Sequence, residues 1–175
     1  MIPDHTILFA IAGAIAVWGI VIFNRLVRDK NRVLAAWSDI DVQLKRRHDL
    51  IPKLVDAVKQ YAAFEKATLE GVTALRTRAE QVQDPGELGK LESAISNDVR
   101  RLIAVAEQYP DLKANLSFLD LQRNITDAED HIQLSRRYYN GSVRNLNTRI
   151  DSFPDMIVAR LFRFKPRKLF EMEDK

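Results

Sequence analysis

The feature that most limits the fold of this chain is an uninterrupted apolar run near its N-terminus. Residues 7–23 read ILFAIAGAIAVWGIVIF, and none of them carries a charge. As an α-helix this run is about 25 Å long, at the short end for crossing a hydrocarbon core of about 30 Å. Thr6 before the run and Asn24 after it extend the helix into the interface. The run therefore predicts one transmembrane helix, with residues 1–24 as an N-terminal membrane anchor.

Two other interpretations of the apolar run are a signal peptide and a buried core helix. A signal peptide has basic residues before its apolar region and a small-residue cleavage site after it. Here Pro3, Asp4 and His5 precede the run, and no Ala-x-Ala sequence follows it. The sequence favours a retained anchor over both alternatives.

The residues flanking the run indicate its orientation. No Lys or Arg precedes it, whereas Arg25, Arg28, Lys30 and Arg32 follow directly. The positive-inside rule then places the N-terminus outside and the rest of the chain in the cytoplasm.

Small residues within the run bear on self-association. Two pairs, Ala10 with Ala14 and Ala12 with Ala16, have the small-xxx-small spacing that lets transmembrane helices approach closely. We therefore expect the lipid bilayer and a second copy of the chain as partners.

The body of the chain, residues 25–152, is predicted to be all-α, because its apolar residues recur in steps of three and four. The favoured arrangement is an antiparallel four-helix bundle with helices over residues 24–50, 52–82, 87–108 and 111–151. The alternative is a long rod, kinked at Pro52, that packs with two further helices in an oligomer.

Composition and motifs argue against an enzyme. The 175 residues include no cysteine, which excludes thiolate metal sites and cysteine nucleophiles, and no phosphate-binding or hydrolase motif occurs. His5, His48 and His131 lack metal-ligand spacing and are interpreted as solvated polar residues. The net charge of +3 is too balanced to predict a nucleic-acid partner. We therefore predict no catalytic residue, cofactor or metal.

Charged residues within the apolar stripes predict an internal polar network. Arg47, Glu65, Glu129 and Arg136 occupy or flank stripe positions. A charge on an inward face is costly unless it is paired, so we expect ion pairs that fix helix register. A ligand pocket and a catalytic cluster are the alternative interpretations.

The C-terminal segment, residues 153–175, mixes aromatic and basic side chains. This composition suits an anionic membrane surface, or less well a protein partner or RNA. The predicted membrane-surface residues are Arg160, Phe162, Arg163, Phe164, Lys165, Arg167 and Lys168. A third interpretation is that Phe153, Ile157 and Leu161 cap the core of the body.

Several motifs in order along the chain resemble one known family, the LemA family of bacterial proteins. They are NRV at 31–33, WSDIDVQL at 37–44, KRRHDLIP at 45–52, YAAFE at 61–65, RRYYN at 136–140 and LFE at 169–171. The resemblance implies a helical-bundle cytoplasmic domain on a single anchor in the bacterial inner membrane. It implies no established activity or cofactor, and one branch of the family is associated with magnetosome membranes.

By the same resemblance, a wider set of residues is expected to form a shared polar core. These residues are Arg47, Glu65, Glu129, Arg136, Tyr139, Asn140 and Asn147.

These expectations together predict a non-enzymatic, membrane-anchored scaffold that self-associates and organises the membrane or recruits partners. One alternative is an adaptor or regulator of a membrane enzyme such as a protease. The other is a hydrolase that uses Arg47, Glu65 and Glu129.

Overall fold

A computed structural model describes residues 4–62 and 66–172 and confirms the all-helical prediction. No strand occurs among these residues. Their helices are α1 (Asp4–Lys59), α2 (Lys66–Ala79), α3 (Pro85–Ala106), α4 (Pro110–Lys113), α5 (Leu116–Asp151) and α6 (Asp155–Leu161).

The apolar part of α1 fits a membrane anchor. Its side chains are exposed, with Phe9 at 74% and Ile15 at 61%. Burial begins at Ile22 and Leu26, which are 3% and 0% exposed. Of the described helices, α1 is the one long and apolar enough to cross a membrane. Exposed apolar surface of this extent is typical of a region that contacts a membrane or another protein.

The prediction that a helix ends at Pro52 is wrong, because α1 continues through Pro52 to Lys59. A proline inside a helix costs about 3 kcal/mol through the lost donor and the clash with the preceding turn. Ile51, Leu54 and Val58 are at most 1% exposed. Burying side chains of this size contributes about 1.5–3 kcal/mol each, which outweighs the cost of the proline.

The long-rod alternative joins the predicted helices 24–50 and 52–82 into one rod that ends at Val82. This end is wrong, since α1 stops at Lys59. The next helix, α2, begins at Lys66. The break predicted between residues 82 and 87 is confirmed, although α3 begins two residues earlier than predicted, at Pro85. Asp84 caps α3 by accepting a hydrogen bond from the Glu87 amide at 3.3 Å, and Pro85 occupies the first turn.

The chain divides into two compact units. Unit 1 comprises residues 1–36 and 140–167, and unit 2 comprises residues 37–139 and 168–175. These bounds differ from the predicted segments 1–24, 25–152 and 153–175, because α1 and α5 each contribute residues to both units. The core of unit 1 includes Leu26, Val143 and Leu146, whereas that of unit 2 includes Ile40 and Ile132.

Within unit 2, contacts show that α1 and α5 run antiparallel. Arg46 donates a 3.4 Å hydrogen bond to Asn124, and the rings of Trp37 and Tyr139 lie 5.2 Å apart. Residue numbers therefore rise along one helix as they fall along the other. Helix α2 packs against α3 in the same unit.

Candidate functional site

Arg47 of α1, in unit 2, carries a charge that is completely buried. Its side chain is 0% exposed. Its Nη2 atom donates to the Glu92 carboxylate, and its Nη1 atom donates to Glu129 Oε1 at 2.5 Å and to Ser96 Oγ at 2.6 Å. The guanidinium thus joins α1 to α3 and α5. We call Arg47, His48, Glu92, Ser96 and Glu129 the Arg47 cluster.

Glu92 of α3 is held from two sides. Its Oε2 atom accepts from Arg47, and its Oε1 atom lies 2.9 Å from His48 Nε2. Burial raises the pKa of this carboxyl, but the hydrogen bond from His48 and the charge of Arg47 outweigh burial and hold the pKa below its ordinary value of 4.5. Glu92 is therefore ionised at neutral pH.

The Arg47 cluster is arranged to neutralise charge inside the protein. Both oxygens of Glu92 have partners, and Ser96 Oγ lies 3.1 Å from each oxygen of Glu129. The guanidinium of Arg47 thus lies between two carboxylates, and each of them has a further hydrogen-bonding partner. Arg47 Nε is buried without a hydrogen-bond partner in the described part of the chain.

The structure places the other predicted polar-core residues elsewhere. Arg136 Nη1 donates to the Met172 carbonyl at 3.1 Å, and Tyr139 Oη donates to the Lys168 carbonyl at 2.9 Å. Asn140 is half-buried on α5. Glu65 lies outside the described residues.

In unit 1, Asn147 binds the C-terminal segment through both of its side-chain polar atoms. Its Nδ2 donates to the Arg167 carbonyl, and its Oδ1 accepts from the Arg167 amide, each at 2.9 Å. Three of the predicted residues therefore bind backbone of residues 167–172 rather than the Arg47 cluster.

Sequence reasoning missed Glu92, Ser96 and His48. A signal for Glu92 existed, because it lies four residues after the buried Leu88 and three before the buried Ile95. The interpretation of His48 as solvated is wrong, since it is 7% exposed and pairs with Glu92. His131 is exposed, as expected.

Within unit 2, residues 168–172 form a C-terminal tail that packs against residues of α1 and α3. Phe170 is 0% exposed, and its ring lies 5.9 Å from that of Trp37. Beneath the tail lies Gly89 of α3, where an added Cβ would be 2.8 Å from the Glu171 carbonyl carbon and closer still to its oxygen. Only glycine admits this approach of backbone to helix.

An ion pair on the surface of unit 2 also joins the tail to the start of α3. Lys168 Nζ lies 2.7 Å from Asp84 Oδ1. The hydrogen bond from Lys168 lowers the pKa of Asp84, and the same bond raises the pKa of Lys168. Lys168 is therefore compensated by a carboxylate within the protein.

The predicted membrane-surface segment ends α6 in unit 1 with a defined turn. The Phe164 amide donates to the Ala159 carbonyl at 2.9 Å, and the Arg163 amide donates to that of Arg160 at 3.2 Å. This pattern is a Schellman motif, whose left-handed position is here taken by Arg163 with φ of 56°.

The turn brings two aromatic side chains back onto α1. The Phe23 ring lies 4.7 Å from that of Phe162 and 5.9 Å from that of Phe164. The predicted membrane-surface residues are exposed except Phe164, which is half-buried.

The expectation that Phe153, Ile157 and Leu161 cap the core is wrong. Their exposed fractions are 76%, 51% and 74%. Phe153 precedes α6, while Ile157 and Leu161 are four residues apart and share one face of it; the buried side of α6 carries Val158 and Ala159. Helix α6 therefore presents an apolar stripe outward.

No cluster of acidic or histidine side chains suited to a metal ion occurs among the residues that the structure describes.

Comparison with known proteins identifies the family. A family model described as the LemA family matches residues 36–175. Protein LemA of Metamycoplasma hominis is 33% identical over 138 residues, which cover 78% of this chain and 63% of that protein. Magnetosome protein MamQ 2 of Paramagnetospirillum magneticum is 26% identical over 175 residues, covering 85% of this chain and 64% of that protein.

Magnetosome protein MamQ of Magnetospirillum gryphiswaldense is similar at 25% identity over 174 residues, with 85% of this chain and 64% of that protein covered. The chain spans less than two-thirds of the length of these relatives. The match to the family model nevertheless covers most of this chain, which therefore belongs to the LemA family.

Proposed function

We propose that this protein is a non-enzymatic scaffold, anchored in the bacterial inner membrane by α1, that self-associates and organises the membrane or recruits partners there. The observation that carries the proposal is the row of exposed apolar side chains from Ile7 to Val21 in α1. Exposed apolar surface on that scale is rare in soluble monomers, and it matches the hydrocarbon core of a bilayer in chemistry.

A second apolar surface in unit 1 supports membrane contact. Phe153, directly before α6, and Ile157 and Leu161 on α6 are exposed, and Phe162 after the helix is 55% exposed. Four basic side chains, Arg160, Arg163, Lys165 and Arg167, are exposed in the same segment. Apolar and basic side chains together favour an anionic bilayer surface over a neutral one.

The absence of catalysis is supported by the chemistry of the Arg47 cluster. Its cation is fully buried, and the Glu92 carboxylate is engaged by Arg47 and His48. The LemA and MamQ relatives point to a membrane-associated protein and to no known enzyme.

Self-association is supported by the surface of the anchor. A Cβ added at Gly13 would meet no atom within 4 Å, and Ala10 and Ala14 on the same helix are exposed. Small side chains at such positions allow a second transmembrane helix to approach. The body is proposed to form an antiparallel helical bundle, in keeping with the antiparallel contacts of α1 and α5 in unit 2.

Alkaline carbonate extraction of membranes tests the anchor on the full chain. We expect the wild type to stay with the membranes and Ile15→Arg to be released, because a charge at the centre of a transmembrane helix costs about 2.5–3.5 kcal/mol in insertion. Val42→Arg, at a 61% exposed position in unit 2, is the control and should stay. Release of the wild type would overturn the proposal.

Orientation can be tested with single cysteines, because the chain has none. His5→Cys should react with a membrane-impermeant maleimide added outside intact cells, whereas Arg101→Cys should react only after lysis. The reverse pattern would contradict an outside N-terminus.

Self-association is tested by the mass of the full chain in mild detergent. We expect an oligomer in the wild type and dissociation in Gly13→Leu, while Gly141→Leu in α5 serves as the control. A monomeric wild type would contradict the scaffold.

A further inference from the structure

A groove in unit 1 lies directly beyond the apolar part of α1. Its volume is about 500 Å³, and one wall is formed by the rings of Phe23, Phe162 and Phe164. Phe23 follows Val21, which is 43% exposed, by two residues. The groove thus begins within one turn of the last residue of the exposed apolar row.

The polar lining of the groove has one sign of charge. Lys30, Arg163, Lys165 and Arg167 line it, and all four are exposed. No carboxylate is among the described residues that line it. Lys168, by contrast, lies next in sequence but is paired with Asp84. Four cations that share a concave surface without a counter-ion favour an anionic ligand.

One of these cations, Arg163, lies at a backbone position that favours glycine. Arg163 has a φ of 56°, the left-handed conformation in which helix C-terminal motifs usually place glycine. A side chain at this position destabilises the turn, and such strained positions cluster at ligand sites. The residue supplies the groove with a guanidinium that a glycine would lack.

The direction of the side chains on α1 favours contact between the groove and a membrane surface. Side chains of a helix tilt toward its N-terminus, so that Lys30 and Asn31 lean toward the apolar row. The headgroup layer adds about 5–7 Å beyond the hydrocarbon core on each side, within the reach of a lysine on the following turns.

We infer that this groove binds the phosphate headgroup of an anionic phospholipid such as phosphatidylglycerol. The phosphate would lie among Arg163, Lys165 and Arg167, and the acyl chains would follow the exposed apolar row of α1. Arginine suits this role because its planar fork binds phosphate oxygens in pairs. The inference rests on the proposed anchoring and adds to it a selectivity for one class of lipid.

Native mass spectrometry of the full chain in neutral detergent tests the site by titration with phosphatidylglycerol or phosphatidylcholine. We expect the wild type to bind phosphatidylglycerol more tightly. The double variant Lys165→Gln with Arg167→Gln should weaken this binding about ten-fold or more, because each cation near an anionic surface contributes about five-fold. The double variant Arg28→Gln with Arg144→Gln is the matched control. It removes two exposed cations of unit 1 that do not line the groove, and it should change binding by less than about two-fold.

Arg163→Gly separates loss of the ligand contact from loss of folding. Because glycine suits the left-handed position, this variant should melt at a higher temperature than the wild type and still bind phosphatidylglycerol about five-fold more weakly. Inorganic phosphate added alone should not raise the melting temperature of the wild type, since it lacks the acyl chains that follow α1.

Three results would overturn the inference: equal binding of the two lipids, an equal loss in both double variants, or stabilisation by inorganic phosphate as large as that by the lipid. Any of these with the wild type still resisting carbonate extraction would remove the headgroup site and leave the anchor intact. Release of the wild type by carbonate would instead contradict the anchoring itself.

Discussion

Arg47 of unit 2 and the groove cations of unit 1 have opposite surroundings. In unit 2, Arg47 is 0% exposed and contacts Glu92 and Glu129. In unit 1, Lys165 and Arg167 are exposed, and no acidic residue is found among the described ones that line their groove. A buried charge must be compensated within the protein, whereas an exposed one remains available to a ligand. The comparison separates Arg47, whose charge is compensated within the protein, from Lys165 and Arg167, whose charges face solvent.

The largest expected effect comes from removing the buried cation. Arg47→Met leaves Glu92 and Glu129 without their partner and should lower the free energy of unfolding by about 3–5 kcal/mol. Thermal unfolding of the full chain in detergent, followed by circular dichroism, measures this loss.

A matched variant in unit 1 sharpens this comparison. Arg149 also contacts two carboxylates, Asp29 at 2.6 Å and Asp155 at 3.0 Å, and the hydrogen bond to Asp29 raises its pKa. Because Arg149 is 31% exposed, solvent screens its two ion pairs in part, and Arg149→Met should cost about 1–2 kcal/mol. Equal losses in the two variants would break the contrast between buried and exposed cations.

Close packing of the tail gives the next largest effect. Gly89→Ala places a methyl group against the Glu171 backbone and should cost about 1–3 kcal/mol. Gly141→Ala, where nothing lies within 4 Å, should instead stabilise its helix by about 0.5–1 kcal/mol. The same unfolding measurement applies, and a neutral Gly89→Ala would show that the tail is loosely held.

The smallest effect is the pH dependence from Glu92. Burial raises the pKa of Glu92, but the hydrogen bond from His48 and the charge of Arg47 outweigh burial. The pKa in the folded protein is therefore below its ordinary value of 4.5. A carboxyl with a lowered pKa contributes its full stability above the unfolded-state value and loses it as pH falls through the folded-state value. Melting temperature should therefore fall on acidification below about pH 4.5, and less steeply in Glu92→Gln.

Glu107→Gln, at an exposed position of unit 2, is the control for this pH series and should follow the wild type. An unchanged acid slope in Glu92→Gln would show that other carboxyl groups govern acid unfolding.

The sequence predicted those parts of the fold that depend on local pattern. The apolar run predicted a transmembrane helix, and its side chains are exposed; the break predicted between residues 82 and 87 lies between α2 and α3, because turn residues act within a few positions. Pro52 was misjudged because the burial of Ile51 and Leu54, which offsets its cost, depends on tertiary contacts.

The site was predicted less completely for the same reason. Arg47 and Glu129 were recognised as charges on apolar faces, and the structure brings them together. Glu92 was missed because it lies 45 residues from Arg47 on another helix, and pairing between helices has no local signature in the sequence. The role of Asn147 in binding backbone of the C-terminal segment likewise depends on where that segment returns.

The Schellman turn at Arg163 has a consequence for engineering this protein. Stability design commonly replaces a left-handed residue after a helix by glycine, and natural proteins tolerate such gains easily. Here the more stable variant would lack one of the two guanidinium groups that line the groove. Screens for thermostability in this protein should therefore include a lipid-affinity assay, so that a variant with a higher melting temperature but weaker lipid binding is recognised.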